Sequence, residues 1–368
     1  MHVIPAKAGI SRGENRGGRS SAPQTRRLSP PGIPASAGMT FWDCLAPAIV
    51  APHRLSYSPP MERLDGSSAV PERLRGGIVA LGNFDGFHKG HQAVVARAVH
   101  RAAAEGRPVL VATFDPHPVR FFKPEVPPFR LTTLDQRERL FDAAGADAML
   151  VFRFDADLAS VTAPDFVTDY IASRIGAAGV VTGEDFTFGK GRGGDVELLM
   201  FLGRANQMSV DAVAPVILDG EPVSSSRVRE ALQAGDCEAA AKLLTRNFAI
   251  EGVVEHGDKR GRTLGYPTAN IALANYLRPR FGVYAVRGRL ADGRILDGAA
   301  NLGTRPTFDP PKELLEPFFF DFDGDLYGQT VEVELVSFLR DEARFDDLEA
   351  LKAQMAADCE EARRRLPA

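Results

Sequence analysis

The sequence predicts an α/β protein with an open parallel sheet in its first folded part and a small antiparallel β-barrel with a C-terminal helix in its second. Between about residues 76 and 240, short apolar runs alternate with helical patterns, as in βαβ units. From about residue 246 to 365, the segments become shorter, alternate with period two and are separated by Gly and Pro. The chain has 368 residues, of which 44% are hydrophobic, so it is long enough for two such domains.

Composition excludes several classes of protein. The net charge of −4 argues against a dedicated nucleic-acid binder. The cysteines at positions 44, 237 and 359 are odd in number and far apart, which suits a reducing cytoplasm and excludes a disulfide framework. No apolar run reaches the roughly 18 residues that a membrane span needs, so we expect a cytoplasmic protein without a membrane partner.

Residues 1–60 differ from the rest of the chain. They are rich in Pro, Gly, Ser and Arg and lack sustained periodicity, so we expect them to be disordered. The stretch Ile4–Ile10 nearly repeats as Ile33–Met39, which no enzyme fold requires. We interpret residues 1–60 as a non-native extension, with translation starting at Met61. The alternative is an arginine-rich tail that binds RNA weakly.

The first folded part contains four predicted strands. They are Ile78–Leu81, Pro108–Phe114, Ala148–Phe152 and Gly179–Thr182, and helical patterns at 92–105, 134–144 and 163–175 separate them. Short links between such elements predict right-handed parallel units. Ligands of open α/β sheets bind beyond the carboxyl ends of the strands, where His88, His91 and His117 fall.

The segment after the first strand reads Gly-Asn-Phe-Asp-Gly-Phe-His-Lys-Gly-His from residue 82 to residue 91. A glycine-rich strand-to-helix turn directs backbone N–H groups and the positive end of the helix dipole at an anion. The imidazoles of His88 and His91 can converge on one oxyanion and change charge near neutral pH. Two alternatives remain open: a helix cap, or a metal pair, for which no third ligand is near in the sequence.

Two later segments are also candidate ligand sites. The sequence from Gly183 to Gly189 is one residue too long for a Walker A motif, and Lys190 is followed by Gly, so we reject that motif. A flexible basic loop is the alternative there. Three serines, 224–226, precede an amphipathic helix and can cap it. An arginine in the first turn opposes the helix dipole unless an anion neutralises it, which points to a polyphosphate.

The second folded part has predicted strands at 248–255, 282–287 and 331–336 and a terminal helix whose stripe of Leu348, Leu351, Met355 and Cys359 we assign to the core. In an extended segment Thr268 and Asn270 project to the same face. Their hydroxyl and amide oxygens can bind one hard cation, and ATP oxygens would complete the shell of a magnesium ion.

Glu316 shares strand parity with the aromatic side chains of Phe318, Phe320 and Phe322. A carboxylate on an apolar face loses water, which raises its pKa and makes it a better proton acceptor. A surface glutamate at a strand end is the equal alternative. Pro317 predicts an edge position for this strand, because proline cannot donate to a ladder.

The motif at 82–91 resembles the signature of the flavin-nucleotide adenylyltransferases, which belong to the Rossmann-like nucleotidyltransferase superfamily. Residues 183–189 are similar to the Gly-x-Asp-Phe-x-Phe-Gly segment of that family. Residues 223–229 are similar to its Ile-Ser-Ser-Thr-x-Ile-Arg motif, with Ser226 in place of threonine and with Val223 and Val228 in place of the isoleucines. The resemblance implies catalytic roles for His88 and His91. It also implies nucleotide or flavin contacts by Gly82, Asn83, Asp85, Gly86, Asp185, Phe186, Ser225, Ser226 and Arg229.

The segment Gly-Arg-Thr-Leu-Gly-Tyr-Pro-Thr-Ala-Asn, ending at Asn270, resembles the riboflavin kinase signature. This resemblance implies nucleotide contacts by Gly257, Gly261 and Arg262, a magnesium site at Thr268 and Asn270, and Glu316 as the catalytic base. Riboflavin kinases have a Glu-x-His-x-x-Asp-Phe strand that leads to Asp-Leu-Tyr-Gly. Here Phe318 replaces the histidine.

Together the matches resemble the bifunctional bacterial riboflavin kinase/FAD synthetases from Gly82 to Asp358. The resemblance implies an FMN adenylyltransferase domain at 76–240 and a riboflavin kinase domain at 246–365. Riboflavin, FMN and ATP would be the partners, with Mg²⁺ as cofactor and no nucleic acid. One alternative is that only the adenylyl transfer is active, the barrel being impaired. An aminoacyl-tRNA-synthetase-like activity also has His-x-Gly-His, but the small barrel and the acidic folded part disfavour tRNA.

Overall fold

The computed structural model of the chain describes residues 61–256, 266–305, 312–345 and 347–366. The predictions for residues 1–60 lie outside this part of the chain. The ranges predicted for the two domains, 76–240 and 246–365, stay predictions.

The first sheet has six strands, all parallel, in the order β1-β4-β3-β2-β5-β6. The strands are β1 (Glu62–Asp65), β2 (Ile78–Leu81), β3 (Val109–Asp115), β4 (Ala148–Arg153), β5 (Gly179–Gly183) and β6 (Ser209–Val213). The predicted parallel α/β architecture is confirmed. Every residue of β2 is buried, because helices cover both faces of a parallel sheet. The sequence did not predict β1 and β6.

Helices follow the strands of this sheet. They are α1 (Lys89–Glu105), α2 (Pro118–Phe122), α3 (Leu134–Ala143), α4 (Ala156–Ser160), α5 (Ala163–Asp165), α6 (Val196–Ala205), α7 (Ser225–Ala234) and α8 (Cys237–Leu244). Helix α5 continues as a π-helical segment, Phe166–Ile175. Helix α1 begins three residues before the predicted start, with His88 as its N-cap, and Gly106 ends it in the left-handed conformation. A two-stranded hairpin, β7 (Ile217–Leu218) and β8 (Glu221–Pro222), precedes α7.

The second part is a closed antiparallel barrel, as predicted, and its strand order is β10-β13-β12-β11-β14-β9. Its strands are β9 (Phe248–Glu255), β10 (Asn270–Ala272), β11 (Gly282–Leu290), β12 (Ile295–Arg305), β13 (Lys312–Phe319) and β14 (Thr330–Arg340). The expected edge position of Pro317 is wrong, because β13 pairs with β12 on one side and β10 on the other. The proline is tolerated because it lies beyond the short β10, next to Ala269, the residue before that strand begins. Its carbonyl accepts a hydrogen bond from the Ala269 amide.

The C-terminal helix α9 (Leu348–Arg365) packs on the outside of the barrel. The predicted apolar stripe is wrong at its start, since Leu348 is 51% exposed. The helix buries Ala362 and Asp358 instead. Asp358 tolerates burial because the Arg340 guanidinium of β14 contacts it, at 2.8 and 2.6 Å. Among the described helices, none combines the length and the hydropathy that a membrane-spanning segment requires.

Candidate functional site

A cavity of about 1110 Å³ lies at the carboxyl ends of the parallel strands and at the N-termini of α1 and α7. This is the position that the open α/β architecture predicts. Most of the predicted ligand-binding residues line it: Gly82, Asn83, Asp85, His88, His91, Asp185, Phe186, Ser225 and Arg229. Gly86 and Ser226 are not among the lining residues.

The two histidines of the motif lie against each other in this cavity. Their rings are stacked, with centroids 3.7 Å apart and planes inclined by 19°. The His88 Nδ1 atom accepts a hydrogen bond from the His91 backbone N–H at 3.4 Å, which caps α1. The edge of the His91 ring lies against Phe84, and its Nδ1 atom is buried without a hydrogen-bond partner in the described part of the chain. The helix-cap alternative is therefore correct for His88, and it leaves both rings facing one cavity.

Burial keeps these imidazoles neutral. Desolvation lowers the pKa of His88 to about 4, although the nearby Asp85 carboxylate opposes this shift. The pKa of His91 is lowered well below its usual value by the same cause and by His88, Arg137 and Arg229. We expected the imidazoles to change charge near neutral pH. In this structure their lowered pKa values keep both of them neutral there. Since the Nδ1 atom of neutral His88 accepts a hydrogen bond, its proton is on Nε2, which makes it a donor.

Asp85 is buried at the cavity, and both oxygens of its carboxylate already have hydrogen-bond partners. It accepts hydrogen bonds from the backbone amides of Leu131 and Thr132 at 2.9 and 3.1 Å. It also contacts the guanidinium groups of Arg229 at 2.8 Å and Arg137 at 3.4 Å. Burial alone would raise its pKa, but the two arginines and the amides lower it. This geometry favours a positioning role for Asp85 over the predicted direct nucleotide contact.

The start of α7 contributes Ser225 and Arg229 to the cavity. The Ser225 hydroxyl donates to the Asp85 carbonyl at 2.9 Å, and Ser224, not Ser225, caps the helix. Arg229 is held by Asp85 and by the Phe129 carbonyl, to which its Nε atom donates at 2.9 Å. Ser226 is exposed in the first turn. The segment thus lines the cavity with two serines, Ser224 and Ser225, and one oriented cation.

Gly86 has a conformational role. Its φ of +86° is in the region that favours glycine, and a Cβ atom there would lie 2.8 Å from Leu131 Cδ1. Its amide donates to the Thr132 hydroxyl at 3.0 Å, and its carbonyl accepts from Arg246 at 2.8 Å. Gly86 therefore shapes the turn that carries the histidines.

One wall of the cavity is aromatic. Phe186 and Phe188 are stacked at 5.8 Å, and Phe122, which is 62% exposed, also lines the cavity. The Asn83 Oδ1 atom is buried and has no hydrogen-bond partner in the described residues. An apolar wall beside an unpaired acceptor suits a planar heterocycle that carries N–H groups. Asp185 is exposed at this wall.

The second candidate site is on the outside of the barrel. Ile271 is opposite Leu315 and Asn301 is opposite Glu316, so continuing the β10–β13 register by one residue places Asn270 opposite Glu316. Residues directly opposite in neighbouring strands have their side chains on the same face. Asn270, Glu316 and Asn301 therefore form a polar row across three strands. Thr268 precedes Ala269, whose amide donates to Pro317 at 2.9 Å, so it lies beside the same row.

Glu316 is only 7% exposed, but its surroundings differ from those expected. Phe318 and Phe320 do lie on its side of β13, under α9, whereas Phe322 packs on the other cluster. An ion pair with Arg305 reaches the carboxylate, so the group is not in a purely apolar environment. Phe318 packs edge-on against Tyr266, with ring centroids 5.2 Å apart. Gly257, Gly261 and Arg262 lie outside the described residues.

The sequence reasoning missed Arg137 and Arg305 and did not assign a role to His117. Arg137 precedes the buried Phe141 by one helical turn, so both residues are on the same face of α3. An arginine on a face that packs against the core indicates a buried partner for its charge. His117 lines the cavity, caps α2 through Nδ1 and has its pKa lowered to about 4 by burial. Nothing in the sequence pairs Arg305 with Glu316.

Each of the two parts of the chain matches a known protein family. The family model for FAD synthetase matches residues 70–227, and the model for riboflavin kinase matches residues 244–366. A Pseudomonas fluorescens protein named bifunctional riboflavin kinase/FMN adenylyltransferase is 42% identical over 304 residues, which are 82% of this chain and 97% of that protein. The Escherichia coli K12 protein of that name is 38% identical over 77% of this chain and 90% of its own length.

A solved structure extends the comparison. A Streptococcus pneumoniae crystal structure described as a macrolide-efflux protein is 32% identical and superposes with a TM-score of 0.75. It covers 83% of this chain and 100% of its own. Its description differs from the names of the curated relatives, while its architecture is that of both parts of this chain.

The low pKa values predict a specific pH dependence. Unfolded histidines titrate near 6.5, whereas His88 and His117 are expected to titrate at about 4 in the folded protein. Between these values the unfolded chain binds protons that the folded protein does not, so the free energy of unfolding should fall as the pH falls from about 6.5 to about 4. NMR titration of the ring protons measures both pKa values. A midpoint for His88 near its ordinary value would contradict the assignment.

Proposed function

The chain belongs to the family of the bifunctional riboflavin kinase/FMN adenylyltransferases, and we propose that it makes FAD from riboflavin in two ATP-dependent steps. The observation that carries this proposal is that two separate regions match the two activities, and each contains its own cluster of polar side chains. The first step phosphorylates riboflavin to FMN on the barrel. The second transfers the adenylyl group of ATP to FMN in the cavity of the parallel sheet.

In adenylyl transfer, an oxygen of the FMN phosphate attacks the α-phosphorus of ATP, and pyrophosphate leaves. Negative charge collects on the oxygens in the transition state, so donors already oriented toward them lower the barrier. We assign this role to His88, His91 and Arg229, together with the backbone N–H groups at the start of α1. The neutral His88 donates through Nε2, and nearby phosphate charge would raise the pKa of both imidazoles. The Ser225 hydroxyl adds a further contact.

The cavity wall suggests where the heterocycles bind. We place one planar ring against Phe186 and Phe122, since aromatic faces stack well on flat ligands. Asn83 Oδ1 would accept a hydrogen bond from the amino group of an adenine or from a flavin N–H. Asp185, at the exposed end of this wall, would contact the ribityl chain or solvent-facing polar atoms. Gly82 allows the close approach of phosphate to the end of β2.

In riboflavin phosphorylation, the ribityl 5′-hydroxyl attacks the γ-phosphorus of ATP, and ADP leaves. We assign Glu316 as the base that accepts the hydroxyl proton. The Arg305 guanidinium forms an ion pair with this carboxylate and orients it. Catalysis in phosphoryl transfer is mainly positioning and electrostatics, so a base aimed by its neighbours is what the reaction needs. Phe318 adds an apolar wall with Tyr266 in place of the family histidine.

The donors at the end of β10 fit a magnesium ion that is partly coordinated by nucleotide. Thr268 and Asn270 offer two neutral oxygens next to the Glu316 row. The described residues contain no group of three acidic, His or Cys side chains arranged to hold a metal ion. A hard cation held by a hydroxyl and an amide therefore needs phosphate oxygens to complete its shell. When bound, Mg²⁺ would offset charge on the transferred phosphoryl group.

We place this chemistry in the cytoplasm, where flavin cofactors and ATP are available and free thiols persist. Cys237 is buried, and burial raises the pKa of its thiol to about 12, which makes it unreactive. The alternative, an enzyme that performs only the adenylyl transfer, rests on Phe318 alone. The packing of Phe318 against Tyr266 fills its position without disturbing the pairing of β13.

Product analysis tests both steps together. Purified protein incubated with riboflavin, ATP and Mg²⁺ should form FMN first and FAD later, and FMN with ATP should give FAD directly. Chromatography with fluorescence detection separates the three flavins. Formation of FAD from FMN, but not of FMN from riboflavin, would support the alternative with a single activity. Absence of both products would refute the proposal.

The cavity histidines are tested by His91→Ala. Loss of a donor to the transition-state oxygens should lower kcat for FAD formation from FMN by roughly a hundredfold or more. Riboflavin phosphorylation should be unchanged. The control is His100→Ala, which removes an exposed histidine from the same helix. FAD synthesis at a near-normal rate in His91→Ala would remove this residue from the mechanism.

The base on the barrel is tested by Glu316→Gln, which keeps the shape of the side chain but cannot accept the proton. FMN formation should fall at least roughly a hundredfold, while adenylylation of supplied FMN should continue. Glu313→Gln on the same strand is the matched control, because Glu313 pairs with Arg278 at the surface. Equal loss of both activities in Glu316→Gln would contradict two independent centres.

A further inference from the structure

We propose that Tyr276, a residue of the barrel region, is a positioning residue for the adenylyl-transfer cavity and acts through Gln136 and Asp85. The inference rests on the function proposed for that cavity. Tyr276, in the part of the chain that matches riboflavin kinase, would then support adenylyl transfer in the other part. Three sets of contacts connect Tyr276 to the cavity.

The first set joins Tyr276 to the start of α3. Tyr276 is 2% exposed, and its hydroxyl donates to Gln136 Oε1 at 2.8 Å while accepting from the Glu251 amide at 3.2 Å. The backbones are also paired, since Arg130 N–H donates to the Asn275 carbonyl and Leu277 N–H donates to the Arg130 carbonyl, at 3.2 and 2.8 Å. A segment of the barrel region thus forms a short parallel bridge with the segment before α3.

The second set fixes Gln136 itself. Gln136 is 5% exposed and forms a capping box with Thr133, in which each side chain bonds the backbone amide of the other residue. Its Nε2 atom donates to the Ala249 carbonyl of β9 at 3.1 Å and to the Glu332 carboxylate of β14 at 3.2 Å. All the hydrogen-bonding atoms of this amide are therefore used, three of these bonds going to the barrel.

The third set continues into the cavity. The residues directly before the capping box, Leu131 and Thr132, donate their amides to Asp85. Asp85 in turn holds Arg229 at 2.8 Å, and Arg229 lines the cavity. A displacement of the 131–133 segment would therefore move the carboxylate that orients the cation. Misplacement of a catalytic group by a fraction of an ångström is costly in rate.

The segment between α8 and β9, residues 244–247, contacts the turn that carries the histidines from its other side. Arg246 donates to the Gly86 carbonyl at 2.8 Å, and Gln92 of α1 donates to the Leu244 carbonyl at 3.0 Å. The turn that carries the histidines is thus held between this segment and the segment anchored by Tyr276. This arrangement makes the barrel region part of the frame of the cavity.

The test is Tyr276→Phe, which removes one hydroxyl and keeps the ring. We expect kcat/KM for FAD formation from FMN to fall about five- to tenfold, the effect of one buried hydrogen bond, with riboflavin phosphorylation within about twofold of normal. The matched control is Tyr284→Phe. Tyr284 is also buried in the barrel, and its hydroxyl donates to the Arg280 carbonyl, away from α3. The control should lose stability without this selective effect.

A double-mutant cycle separates positioning from general destabilisation. If Tyr276 acts through Asp85 and Arg229, the effects of Tyr276→Phe and Arg229→Lys on adenylylation should be non-additive, whereas Tyr284→Phe and Arg229→Lys should be additive. If Tyr276→Phe does not fold, Gln136→Glu keeps the capping acceptor, loses the donors to Ala249 and Glu332 and should show the same selective loss.

The outcomes distinguish this inference from the proposed function. Unchanged adenylylation in Tyr276→Phe, or equal loss of both activities, overturns the positioning role while the wild-type protein still makes FAD. Additive effects in the cycle with Arg229→Lys also overturn it. Failure of the wild-type protein to convert FMN and ATP to FAD would instead refute the proposed function of the cavity.

Discussion

The buried carboxylate of Asp85 is the constraint on which the cavity of the parallel sheet depends. It lies between the guanidinium groups of Arg137 and Arg229, and backbone amides saturate its remaining lone pairs. Such buried ion clusters contribute little net stability, because desolvation offsets the attraction. Removing one member, however, leaves an uncompensated charge. The cluster is therefore better explained by the geometry it imposes, since it fixes an arginine at the cavity and a turn that carries two histidines.

The sequence predicted the structure well where the residues that form a strand or a turn are neighbours in the chain. The strands β2 to β5 of the parallel sheet are largely apolar runs, and the motif from Gly82 to His91 contains its turn, its cap and its imidazoles within ten residues. The strand β1 was missed because it is a half-exposed edge strand of mostly charged residues. The ring of contacts around Asp85 was also missed, since residues 85, 137 and 229 meet only through the tertiary fold.

In the barrel, too, contacts between residues distant in the chain could not be predicted from the sequence. Strand parity correctly placed Glu316 on the face of Phe318, but parity cannot tell which side chain of the neighbouring strand reaches the carboxylate. Arg305 does so, and the expected apolar environment was replaced by an ion pair. Burial of Asp358 in the last helix is similar, because a charged residue at a core position is stable only with a partner that sequence spacing does not reveal.

The depressed pKa values of the histidines bear on how the cavity receives its ligand. Three imidazoles near each other would repel one another if all were charged, and burial keeps His88 and His117 neutral at physiological pH. A neutral donor still binds a phosphate oxygen, and an approaching polyanion shifts the balance toward protonation. In the mechanism proposed here, the positive charge in the transition state develops when the phosphate groups arrive. The positive charge of Arg229 is already in place, because Asp85 and the Phe129 carbonyl hold its guanidinium. On our proposal, the contacts that run from Tyr276 through Gln136 and the 131–133 segment to Asp85 keep it there.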